Sequence, residues 1–207
     1  CDECKTENYA QCESYNYYGS RCNGGMSEYI AVKKDNLVIM PKGISYLEAA
    51  MCEPAAVALH ALKKSNFRDG QTIAIFGIGP IGLLIAQWAV VFGAKKVIMV
   101  ARSEAKAIFA KKMGFVDVIN SKLVSIKEEI LAITNGKGVD VCIEGTGTSE
   151  ILEDCLFAAK NFGKVIALGN PLGKMELSQI AYWNILRREI KIIGVWNSKF
   201  NLIENDW

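Results

Sequence analysis

Thiols crowd the start of this chain, and glycines recur at fixed spacing a third of the way along; both patterns have chemistry. Cys1-x2-Cys4-x7-Cys12, in CDECKTENYAQC, places three soft thiolates within reach of one tetrahedral zinc ion. A fourth ligand is open to two explanations. Either a cysteine precedes Cys1 in a longer protein, which is the reading preferred here, or Cys22 swings in. A carboxylate, Glu53, precedes Pro54 inside the apolar run AAMCEPAAVA. Burying it unpaired is costly, so a cation or metal partner is expected. His60, the single histidine, stands among apolar neighbours and reads as a packing residue rather than a ligand or base.

The glycines are Gly77, Gly79 and Gly82, following the apolar run Thr72–Phe76 and preceding the apolar stretch Ile81–Phe92. Strand, G-x-G-x-x-G and helix in that order form a dinucleotide-binding signature. Gly77 permits the tight turn, Gly79 lets the backbone approach a pyrophosphate, and Gly82 lets helix and strand pack closely. Pro80 suits the first helical turn. The helix's free N–H groups then face the ligand's negative charge. Gly93 ends the helix and a second strand follows at Lys96–Ala101. An NAD site usually carries an acid at that strand end, but here the order is Ala101-Arg102-Ser103, with no acid before Glu104. Ala101 leaves room and Arg102 offers a forked cation for a phosphate. Lys106 falls four residues on, on the same face if the helix has begun at Arg102. The expected preference is NADP(H) over NAD(H).

These residues need a scaffold, and the remaining pattern supplies one. Helical stretches at Ser103–Met113, Ser125–Thr134, Ser149–Ala159 and Leu177–Arg187 alternate with strand-like runs at Asp117–Asn120, Val139–Gly145, Lys164–Gly169 and Lys191–Trp196. That alternation predicts an α/β fold with a doubly wound parallel sheet of six strands (Rossmann), its halves joined near 121–138. The ligand should lie at the strands' carboxyl ends, at Gly77–Gly82, Ala101–Arg102, Gly145–Gly147, Leu168–Asn170 and Trp196–Ser198. Before the sheet, Met26–Met40 carries two strand-like runs about a KKDN turn. Ser45 and Glu48 form a capping box opening a helix that Pro54 should break or restart.

Composition narrows the class. With 51% hydrophobic and 22% charged residues in 207, a sizeable core is available. A net charge of +2 gives no reason to expect nucleic acid or a charged membrane surface as partner. No run is long enough to span a bilayer and no signal peptide is visible, so a cytoplasmic location is expected. Clustered thiols without an export signal favour metal over disulfides among the seven cysteines.

The segments CDECKTENYAQC, GSRCNGGMSEYI, EPAAVALHA, GIGPIG and NILRREIKIIGVWN, in this order, resemble the zinc-dependent medium-chain dehydrogenases. Within them the likeness is to the sorbitol dehydrogenase branch, and there to the galactitol-1-phosphate 5-dehydrogenases. The resemblance implies hydride transfer between a secondary alcohol, a polyol or polyol phosphate, and a nicotinamide cofactor, with zinc polarising the hydroxyl. It implies a structural zinc on Cys1, Cys4 and Cys12, and a catalytic zinc that Glu53 adjoins and can ligate. It maps cofactor contacts to Ile81, Ala101, Lys106, Leu168, Gly169, Asn170, Trp196, Asn197 and Ser198, and substrate contacts to Tyr18 and Ser20. Asn197 stands where the sorbitol enzymes carry arginine, which weakens the case for sorbitol itself.

The resemblance also places the family's other catalytic-zinc ligands and first structural cysteine ahead of Cys1, and continues the family chain past Trp207. This stretch alone is therefore expected not to turn over substrate. It implies a β-rich zinc-binding domain, present in part as 1–53, a dinucleotide-binding domain at 54–200, and a return to the first at 201–207. Family members pair through the last strand, which implies a homodimer or dimer-based tetramer. Two other readings compete. A non-catalytic NADP(H)-binding module would need neither Glu53 nor the thiols, and both weigh equally against a zinc-free quinone reductase.

Overall fold

A computed structural model describes residues 1–201 and 205–207, which divide into two units. One comprises Cys1–Glu53 with Lys199–Trp207, the other Pro54–Ser198. The second unit ends at Ser198 rather than at residue 200. The Lys199 N–H donates to the Asp206 carboxylate and the Asp206 N–H to the Lys199 carbonyl, tying residue 199 to the last residues of the chain. Residues 202–204 of the expected returning segment lie outside the described residues.

The first unit holds two short helices, α1 (Asp2–Lys5) and α2 (Tyr46–Ala49), and 3-10 turns at Tyr9–Gln11 and Lys34–Asn36. No residue of 1–53 is buried. The strand pair expected in Met26–Met40 is absent: the KKDN turn is the 3-10 turn, and its flanks join no ladder among the described residues. A strand needs a neighbour for its N–H and C=O groups, and β-branched composition does not supply one. The Ser45–Glu48 capping box forms with both reciprocal bonds. The break after α2 comes at Ala50–Met51, ahead of Pro54. Helix α3 (Cys52–Lys64) then carries Pro54 in its first turn, where a missing N–H costs nothing.

From Thr72 onward strands and helices alternate. In order they are β1 (Thr72–Phe76), α4 (Pro80–Val91), β2 (Lys96–Ala101), α5 (Glu104–Lys112), β3 (Asp117–Asn120), α6 (Ile126–Ile133) and β4 (Val139–Glu144). They continue with α7 (Ser149–Ala158), β5 (Ala159–Ala167), α8 (Gln179–Arg187) and β6 (Lys191–Gly194). The six strands form one parallel sheet in the order β3-β2-β1-β4-β5-β6. The switch in winding direction therefore lies between β1 and β4.

Both faces of the sheet are covered, which explains the unbroken apolar strands. Along β1, Ile73 and Ile75 pack with Leu62 of α3 and with Ile85 and Ala89 of α4. Ala74 and Phe76 turn the other way, into a cluster with Ile130 of α6 and Leu156 of α7. Full burial of such side chains contributes roughly 1.5–3 kcal/mol each. Strand β5 starts five residues earlier than the apolar run KVIALG suggests, because pairing continues through a register shift opposite Val139–Val141. It stops at Ala167, since the N–H groups of Leu168 and Gly169 both turn onto the Glu144 carbonyl. Arg188, just past α8, donates to the Leu156, Phe157 and Ala159 carbonyls and so closes the end of α7; burial lowers its pKa.

Candidate functional site

The carboxyl edge of the sheet is built mainly from backbone. After β1 the chain turns at Gly77, whose φ of +110° lies in the region only glycine adopts freely. A β carbon on Gly82 would lie 2.1 Å from the Gly77 carbonyl oxygen, so α4 starts against the turn only because residue 82 has none. Gly79 differs. A β carbon there would meet nothing within 4 Å, so there is open space directly before the N-terminus of α4. Pro80 has no N–H, and those of Ile81 and Gly82 have no partner four residues back inside the helix. Open space faced by such groups suits a pyrophosphate, and the residues present fit a dinucleotide there.

After β2, Ala101 is buried and Arg102 is exposed. Ser103 caps α5 by accepting from the Lys106 N–H at 3.4 Å. The helix thus begins at Glu104, and the four-residue spacing does not put Arg102 and Lys106 on one helical face. Both side chains are exposed beyond the strand end.

The loops after β1, β4 and β5 touch at backbone distance. A β carbon on Gly77 would lie 3.3 Å from the Gly145 carbonyl oxygen, one on Gly169 would lie 2.1 Å from the Gly147 nitrogen, and one on Gly147 would lie 2.7 Å from the Asn170 carbonyl. Leu168, Gly169 and Asn170 are thereby gathered beside the Gly145–Gly147 turn. Among these residues is Glu144, a carboxylate the sequence reading passed over. It is 2% exposed, and its Oε1 accepts from the Thr146 N–H at 2.7 Å, the Thr146 hydroxyl at 2.6 Å and the Gly147 N–H at 2.8 Å. The available signal was an acid closing the VDVCIE strand just before Gly145, after the apolar run Val141–Ile143. After β6 the Val195 N–H bonds the Ala167 carbonyl, Trp196 is half exposed, and Asn197 (φ +58°) accepts from the Ser198 N–H at 2.8 Å.

In the first unit, the Cys1 thiol lies 3.6 Å from that of Cys4 and 3.9 Å from that of Cys12, with all three sulfurs within 4.8 Å of one another. A tetrahedral zinc bound at about 2.3 Å to each thiolate sets sulfurs about 3.8 Å apart, so the trio fits zinc. The Cys12 thiol hydrogen-bonded beside it raises the Cys4 pKa, with slight desolvation adding to the effect. A bound cation would reverse that shift. Cys22 stays outside the cluster and donates to the Tyr17 carbonyl at 3.6 Å. Tyr18 accepts from the Lys33 N–H at 3.3 Å, and Ser20 is exposed.

Glu53 is exposed rather than buried, so the desolvation argument for a cation partner does not apply to it. Among the described residues the thiol trio is the one group of three or more side chains placed to hold a metal, and Glu53 is outside it. His60 is buried in α3.

The zinc-binding dehydrogenase family matches residues 80–207. Sorbitol dehydrogenase of Bacillus subtilis (strain 168) is 35% identical over 197 residues, 95% of this chain and 55% of that protein. Galactitol 1-phosphate 5-dehydrogenase of Escherichia coli (strain K12) is 31% identical over 196 residues, 95% of this chain and 57% of that one. The solved galactitol-1-phosphate dehydrogenase from Escherichia coli has a TM-score of 0.92 at 30% identity, covering 99% of this chain and 59% of its own. A chain described as a zinc-binding dehydrogenase from Sinorhizobium meliloti 1021, bound to NADP, has a TM-score of 0.87 at 30% identity, covering 97% of this chain and 59% of its own. This chain thus spans just over half the length of the curated relatives it matches.

Proposed function

The chain belongs to the zinc-binding dehydrogenase family, and from that premise we infer that the protein carrying it transfers hydride between a secondary alcohol and a nicotinamide dinucleotide. The observation that carries this reading is the Gly77–Gly82 turn. It leaves open space at Gly79 before α4, next to the point where the sheet reverses its winding. A nicotinamide bound along this edge supplies the hydride acceptor or donor. The residues that would line it are Gly77, Gly79, Pro80, Ile81 and Gly82, with Leu168–Asn170 and Trp196–Ser198 along the remaining strand ends.

The substrate is a polyol or polyol phosphate, the class named by the relatives from Bacillus subtilis and Escherichia coli. Tyr18 and Ser20 would contact it. The Arg21 guanidinium is engaged with the Tyr15 ring and carbonyl, which argues against its serving a substrate phosphate. Cys1, Cys4 and Cys12 would hold a structural zinc. Glu53 would be this chain's contribution to a catalytic zinc, and an exposed carboxylate is free to take that role. Strand β6 is a sheet edge with Ile192 partly exposed. An apolar edge of this kind favours self-association, in a homodimer or dimer-based tetramer.

Arg102 supports NADP(H) over NAD(H). No acid precedes Glu104 at the β2 end, the guanidinium is exposed there, and the Sinorhizobium meliloti relative is bound to NADP. The test is titration of the intact protein with NADPH and NADH, following nicotinamide fluorescence. NADPH is expected to bind more tightly, and Arg102→Ala to weaken it by about tenfold or more while leaving NADH nearly unchanged. Equal binding of both nucleotides by the unaltered protein would refute the phosphate preference.

A further inference from the structure

We propose that Glu144 is a positioning residue for the nicotinamide half of the cofactor, fixing the loops after β4 and β5 through its carboxylate and its carbonyl together. The inference rests on the dinucleotide reading above. A doubly wound sheet has two mononucleotide halves. The half made by β1, β2 and β3 carries the glycine turn and Arg102, so it takes the adenosine end. The half made by β4, β5 and β6 is left for the nicotinamide.

Glu144 ends the first strand of that second half. Its Oε1 collects three donors from Thr146 and Gly147, and its carbonyl accepts the N–H groups of Leu168 at 3.0 Å and Gly169 at 2.9 Å. One residue thus holds both loops, which meet where Gly147 and Gly169 leave no room for a β carbon. The carboxylate is buried with no cation paired to it among the described residues. Its charge is balanced by donors of the turn, so the turn's shape depends on the acceptor. An apolar side chain of equal length would strand three donors and release the turn.

The test compares a whole dinucleotide with its adenosine fragment on the intact protein. The pair is NADPH with adenosine 2′,5′-bisphosphate, or NADH with ADP, following whichever dinucleotide the unaltered protein prefers. Glu144→Met is expected to weaken the dinucleotide by about tenfold or more while changing the fragment by no more than about twofold. Glu144→Gln keeps an acceptor oxygen and is expected to restore most of the lost affinity. If Glu144→Met does not fold, Thr146→Val removes one donor at constant shape and should shift the same ratio in the same direction by a smaller factor. Loss of dinucleotide and fragment in equal proportion, or of neither, would overturn the inference alone. Failure of the unaltered protein to bind any dinucleotide would overturn the functional reading as well.

Discussion

Gly79 and Gly82 stand three residues apart in one motif and are glycine for different reasons. At Gly82 the constraint is internal, because a methyl group there would press on the Gly77 carbonyl and displace the start of α4. Gly82→Ala should therefore lower unfolding stability by about 1–3 kcal/mol, the usual cost of overpacking. At Gly79 the φ of −106° is ordinary and the space is empty. Gly79→Ala should leave stability within about 0.5 kcal/mol, since it strains nothing in the folded chain. The methyl group would nonetheless occupy the space a pyrophosphate needs, so dinucleotide binding should fall by about tenfold or more. Denaturant titration and nicotinamide fluorescence on the two variants would separate these causes, and a stability loss at Gly79 would contradict the open geometry. Both glycines were legible from spacing alone, whereas Glu144 was not: its importance comes from a turn three residues long folding back on it.

At the scale of elements, α7 carries a built-in liability. Burial raises the Asp154 carboxyl from its ordinary 3.8 to about 6, and the charges of Glu150 and Glu153 on the same helix push the same way. A carboxyl whose folded pKa is raised binds protons more tightly folded than unfolded. Its stabilising contribution is present below pH 3.8 and lost as pH rises through about 6. Asp154→Asn should therefore be more stable than the unaltered protein above about pH 6, with the difference vanishing toward pH 3.8. Denaturation midpoints across that range would check this, and a pH-independent difference would refute it. The elements were mostly readable from apolar periodicity, while the first residues of α5, α7 and α8 are set by caps that periodicity does not show: Ser103, Thr148 and Ser178 each accept from the N–H three residues on. The start of β5 and the missing strands of 26–40 were not readable, since both depend on which partner strand is present.

At the scale of the whole molecule, the two units rest on different kinds of stabilisation. The Pro54–Ser198 unit has apolar clusters on both faces of its sheet, while residues 1–53 gather three thiols within zinc-compatible distance. A metal bound to such a lobe contributes directly to its folding. Chelation of the intact protein should release about one zinc from this lobe, with the thiols becoming reactive. Dinucleotide binding by the second unit should survive, because that unit carries its own core. Zinc analysis, thiol titration and NADPH fluorescence on the same sample would test this. Cys4→Ser should reproduce the zinc loss, and retention of the full zinc content in that variant would remove the trio from the metal's ligands.

The order of strands, glycines and helices determined the doubly wound sheet and the place of its glycine turn without help from the structure. Apolar periodicity and backbone freedom are local properties, written residue by residue in the sequence. The spacing of Cys1, Cys4 and Cys12 likewise announced a thiol cluster, which the folded chain brings to zinc-compatible distances. Tertiary structure alone decided that Glu53 is exposed and that Cys22 stands apart from the other thiols. It also decided that Arg102 and Lys106 do not share a helical face, and that the loops after β4 and β5 converge on Glu144. The convergence on Glu144 depends on contacts between residues distant in sequence, which no local pattern encodes, whereas the Arg102 and Lys106 outcome turns on the Ser103 cap, a local signal that four-residue spacing does not take into account.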